Sequence, residues 1–63
     1  MSIGRNITIL CFDKKVTSHA LAEAAGVSDS MISKIISGDK KAPLEVAVAI
    51  AKALGTTVDE LIK

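Results

Sequence analysis

The tightest constraint on this chain is a junction of three residues, Gly26-Val27-Ser28, between two stretches that each carry their own start and stop signals for a short helix. Thr17 is placed to cap a helix running to about Ala25, which Gly26 stops. Ser28 is placed to cap a second, running to about Ser37, which Gly38 stops. In each case a hydroxyl accepts one of the N–H groups that the first helical turn leaves unpaired. A connection this short forces a sharp angle between the helices. Ala22 is small where the second helix must cross the first closely, and Val27 plugs the angle between them. Gly26 can adopt the positive φ such a turn needs without a Cβ penalty. Ile32 and Ile35, three apart, turn toward Leu21 and the core, which leaves Asp29, Ser30, Ser33 and Lys34 facing outward.

The rest of the chain is punctuated in the same way. Thr57-Val58-Asp59-Glu60 fits a capping box, in which the threonine takes an orphan N–H and Glu60 reaches back to the cap. It predicts a last helix from about Val58 to Ile62, with Val58, Leu61 and Ile62 as the apolar side. From Leu44 to Leu54, an apolar face of Leu44, Ala47, Ile50, Ala51 and Leu54 follows helical spacing. Pro43 suits its first helical position and Gly55 the left-handed cap beyond its end. The first segment, Ile3 to Lys15, is ambiguous. Its run Ile7-Thr8-Ile9-Leu10-Cys11-Phe12 is β-branched and favours a strand by propensity. Ile3, Ile7 and Leu10 equally make a helical stripe, and a lone strand would have no sheet to join, so helix is the better reading.

The expected architecture is therefore all-α, a compact five-helix bundle in one domain spanning residues 1–63, with the helix-turn-helix at about 17–37. At 63 residues, a chain buries only about 60% of the surface it exposes when unfolded. Such a core has no room for a cleft of several hundred Å³, which argues against a self-contained enzyme or a small-molecule substrate. The single cysteine, Cys11, offers no internal disulfide, and with the single histidine, His19, it cannot complete a metal site. No Gly-rich phosphate loop or catalytic triad is visible, and no cofactor is expected. No apolar run approaches the ~20 residues of a membrane span, and the N-terminus lacks the order of a signal peptide, so a cytoplasmic protein is expected.

The formal net charge is +1, but it is unevenly spread. Through Lys41 the chain carries six basic against four acidic residues, and beyond it two against three. Any basic face belongs to the first part. There, a row of short polar residues ending in a lysine, held at a helix N-terminus, fits the major groove of DNA. Asp29 has two readings: a carboxylate favoured by the helix dipole, or an acceptor for cytosine N4. Ser30, Ser33 and Lys34 have no core role and are candidates for base contact. Lys40 and Lys41, in the loop past Gly38, are candidates for phosphate contact. Ser28 joins them, because helix N-termini attract anions. Arg5, Lys14 and Lys15 are weaker candidates.

From about Val16 to Ile62, the chain resembles the DNA-binding domains of the lambda-type phage repressor and Cro proteins. The resemblance lies in Leu21-Ala22, Ala25-Gly26-Val27-Ser28, Ile32-Ser33-Lys34-Ile35, Ser37-Gly38, Leu44-Glu45, Ile50-Ala51-Lys52-Ala53-Leu54-Gly55 and Val58-Asp59-Glu60-Leu61-Ile62. It implies a transcription regulator, bacterial or phage-encoded and nucleoid-associated, commonly dimeric on a two-fold duplex DNA operator. It also implies a phosphate contact at Ser18, where the family usually has a longer polar residue such as glutamine. Other departures are Cys11 where the family has a basic residue, Ile9 and Phe12 where it has polar ones, and the negative charge of Asp29. An exposed Ile9 and Phe12 would mark a protein interface, with another regulator or a second copy. Val58, Leu61 and Ile62 are the other candidates for a weak homodimer contact. The rival reading is a protein-binding module on the same fold, such as an antirepressor, with little DNA affinity.

Overall fold

The computed structural model describes residues 3–63. It forms five helices and, among the described residues, no strand: α1 (Ile3–Lys14), α2 (Ser18–Ala25), α3 (Asp29–Ser37), α4 (Leu44–Ala53) and α5 (Val58–Ile62). α2 packs against α3 and α4, while α1 lies across α3 and α5, and α5 closes the other side against α4. Seven large apolar side chains, Ile7, Leu21, Ile32, Ile35, Ile50, Leu54 and Leu61, are almost wholly removed from solvent at the centre. Burying each stabilises the fold by about 1.5–3 kcal/mol before the cost of ordering the chain.

The caps form where the hydroxyls stand. Thr17 Oγ1 accepts from Ala20 N–H at 3.0 Å, Ser28 Oγ from Met31 N–H at 3.1 Å and Thr57 Oγ1 from Glu60 N–H at 3.2 Å. Gly26 has φ +74°, and the N–H groups of Gly26 and Val27 close α2 by bonding back to Glu23 and Ala22 carbonyls. Val27 sits half-buried against the core, wedged at the turn.

α1 is a helix despite its β-branched run. Ile7 is fully buried and Ile3 and Leu10 are packed against the core, so the helical stripe lies over α3 and α5. Thr8 satisfies its own hydroxyl by donating to the Gly4 carbonyl at 2.9 Å, one turn back. Two contacts in α1 have no local signal. Gly4 is buried so tightly under α3 that a Cβ there would collide with the Ile36 carbonyl oxygen and lie 2.9 Å from that of Ile35. Asn6 Nδ2 donates to the Leu61 carbonyl at 2.7 Å and the Lys63 carbonyl at 3.2 Å, filling acceptors that the end of α5 leaves unpaired.

Several expectations need correction. Leu44 is 74% exposed although its angular position was right, because it stands in the first turn of α4 where no neighbouring element covers it. Pro43 precedes α4 rather than opening it; its extended ψ of 154° places it at the cap, where its carbonyl accepts from Ala47 N–H. The capping box at α5 is half made. Thr57 caps, but the Glu60 carboxylate turns to Lys63 Nζ at 3.3 Å instead of reaching back.

Candidate nucleic-acid interface

On α3, the apolar residues Ile32 and Ile35 point inward, and this fixes the opposite side. Asp29, Ser30, Ser33, Lys34 and Ser37 are all exposed and, at 100° per residue, fall within about 140° of the helix circumference. A helix with one buried edge can present only such a strip, and here it holds small polar groups and a lysine. The spacing of Ile32 and Ile35 was sufficient to find it. Ser37 was read only as a helix end. Its hydroxyl accepts from Asp39 N–H at 3.4 Å and lies 3.1 Å from both the Lys34 carbonyl and Asp39 Oδ2, so it ties down the loop that follows.

The first turns of α2 and α3 stand side by side, joined by His19 and Asp29. The Nδ1 atom of His19 lies 2.8 Å from Asp29 Oδ2 and 3.1 Å from Oδ1. Ser18 adjoins His19 and Ser28 adjoins Asp29, so both serines come to the same end of α3. Ser18 is exposed; the hydroxyl of Ser28 is already engaged as a cap. Lys40 and Lys41 lie beyond the opposite end of α3, exposed in the loop to α4, where Lys40 N–H bonds to the Lys34 carbonyl at 3.2 Å. Polar groups suited to phosphate thus flank the outward strip at both ends. Among the described residues, Lys34, Lys40 and Lys41 have no acidic partner. The acidic member of the strip, Asp29, does have a partner. The hydrogen bond that His19 donates to Asp29, and then the charges of Asp29 and Glu23, push the pKa of His19 above its ordinary value. No local signal announces this pair, because two helices bring together residues ten apart.

On the far side of α1, Phe12 is 83% exposed and Ile9 47%. Ile9 borders a shallow groove of about 170 Å³ with Asn6, Leu10, Glu60 and Lys63, below the several hundred Å³ typical of small-molecule sites. Of the α5 residues expected on an association surface, Leu61 must be withdrawn, since it is completely buried, and Val58 is half-buried against the core. Only Ile62 is exposed there. The amphipathic helix has just five residues, and the bundle takes two of its three apolar side chains. Cys11 is a core residue whose thiol is pushed up by burial. No helix of the described residues is long and apolar enough to cross a membrane.

Comparisons with known proteins agree with this geometry. The DNA-binding domain of the P22 C2 repressor, residues 1–76, superposes with a TM-score of 0.94 at 28% identity, over 100% of this chain and 83% of that one. The clp gene regulator ClgR from C. glutamicum superposes with a TM-score of 0.88 at 32% identity, over 95% of this chain and 78% of that one. No curated protein sequence gives a significant match. A helix-turn-helix family model matches residues 13–61, from the end of α1 through α5, and the chain belongs to the lambda-repressor/Cro-type helix-turn-helix family.

Proposed function

We propose that this protein is a sequence-specific DNA-binding transcription regulator of the phage repressor and Cro type, acting as one domain in the cytoplasm, with α3 as its recognition helix in the major groove. The observation that carries this is the outward strip of α3, free of core duty and followed by lysines that, among the described residues, no carboxylate neutralises. Asp29, Ser30, Ser33 and Lys34 are its base-reading residues, because they are small or flexible enough to follow the groove floor. Ser18 and Ser28 at one end of α3, and Lys40 and Lys41 at the other, hold the phosphates.

Binding to labelled duplexes as a function of salt tests both roles. Lys40→Ala or Lys41→Ala should weaken binding to every sequence and lower the slope of log affinity against log salt by roughly 0.9 per contact. Ser33→Ala or Lys34→Ala should cost about 1–3 kcal/mol on a selected site and little on random DNA. No salt-dependent binding to any duplex would sink the reading and favour the rival protein-binding module.

The exposure of Phe12 and Ile9 supports a second assignment, contact with another copy of this chain, so that two recognition helices meet a two-fold site. Sedimentation should show self-association that Ile9→Ser with Phe12→Ser abolishes while circular dichroism stays helical. A chain that stays monomeric at high concentration would remove the assignment.

A further inference from the structure

Asp29 is the acidic side chain on the outward strip of α3, at the end where phosphates would approach. A lone carboxylate there repels a polyanion. Its neighbour on α2 changes that. His19 Nδ1 lies 2.8 and 3.1 Å from the two Asp29 oxygens, and its Nε2 lies 3.8 Å from Oε1 of Glu23, one turn along α2. A carboxylate can only accept, so Nδ1 carries the hydrogen and donates. The remaining carboxylate lone pairs stay available to a donor such as an amino group on a base. Other charged groups on the elements packed against α2, namely Lys34 on α3 and Glu45 and Lys52 on α4, make no ion pair with His19 among the described residues.

We propose that His19 is a positioning residue for Asp29 in DNA recognition, holding the carboxylate at the start of the recognition helix and cancelling its charge, so that DNA binding is coupled to uptake of a proton. The proposal rests on the DNA-binding reading above. With a neutral ring, the cluster His19, Glu23 and Asp29 carries two negative charges; with a protonated ring it carries one. Arriving phosphates favour the protonated ring further, so the complex keeps its proton to higher pH than the free protein does. Affinity is therefore highest at low pH. It falls as pH rises through the His19 pKa of the free protein, and levels off above that of the complex. Asp29 and Glu23 already hold that ring above its usual value near 6.5, which brings the fall toward neutral pH.

The test is fluorescence anisotropy of a labelled random-sequence duplex at low salt, from about pH 5 to about pH 8, where a histidine changes charge. The wild type should lose affinity by at most about tenfold per pH unit, the limit for one proton. His19→Gln should bind weakly with a flat profile. Asp29→Asn should bind more tightly than the wild type at high pH and move the fall to lower pH. His19 is the chain's one histidine, so its ring titration by NMR is unambiguous in the free protein, and Asp29→Asn should lower its midpoint. Parallel wild-type and His19→Gln profiles, or a midpoint that Asp29→Asn leaves unmoved, overturn the proposal. Absence of DNA binding at every pH overturns the DNA-binding reading and this proposal with it. The ring titration, which needs no DNA, then shows separately whether the pair exists.

Discussion

The α2–α3 unit and α1 hold their places by different means. In the first, each end has its own device: hydroxyl caps at Thr17 and Ser28, and left-handed glycines at Gly26 and Gly38. Around Gly26 there is open space, with nothing within 4 Å of where a Cβ would stand, so the need for glycine is one of backbone conformation. α1 has no residue suited to its C-terminal turn. Lys15 takes the left-handed conformation there, φ +57°, while the N–H groups of Lys15 and Val16 bond back to the carbonyls of Phe12 and Cys11. Its glycine, Gly4, has ordinary helical backbone and is required by α3 pressing against it. One region is shaped by its own torsions, the other by its neighbours. A glycine in each can be replaced to tell conformational from steric necessity.

Gly4→Val should have the largest effect. Its Cβ would strike the backbone of α3, which cannot rotate aside, and overpacking of this kind costs about 3 kcal/mol. Thermal unfolding measures it, and an unchanged midpoint would mean that α1 can slide off α3. Gly26→Val should cost about 2 kcal/mol, all of it from forcing a β-branched residue to positive φ. Here the comparison sharpens: Gly26→Asn should lose under about 1 kcal/mol, since asparagine tolerates that region, whereas Gly4→Asn should fail as badly as valine. Similar losses for asparagine at the two sites would erase the distinction. Lys15→Gly is the smallest change and has the opposite sign. Relieving the left-handed lysine should stabilise the protein by up to about 1 kcal/mol, seen as a raised denaturation midpoint.

The same contrast explains what could be read in advance. The positions of α2 to α5 followed from caps and stops, because those signals lie within one or two turns of the bonds they make. The outward strip of α3 followed from Ile32 and Ile35, because burying one side of a helix exposes the other. Leu44, Leu61 and the His19–Asp29 pair did not follow. Whether an apolar stripe is covered at its end, and which polar groups meet across two helices, depends on elements distant in sequence.

Sequence by itself therefore determined the four helices α2 to α5, the sharp turn at Gly26-Val27-Ser28 and the identity of the outward residues on α3. Each rests on local hydrogen bonds and helical periodicity, which need no partner element. Tertiary structure alone decided the helical state of α1, which follows from burying Ile7 rather than from the β-branched run around it. It also decided the close approach at Gly4, the capping of α5 by Asn6, and the withdrawal of Leu61 into the core. These depend on how five short amphipathic elements share one small core, and burial there is allotted by packing rather than by hydrophobicity. Leu44 and Phe12 are as apolar as their buried neighbours and stand in solvent because nothing in the bundle reaches them.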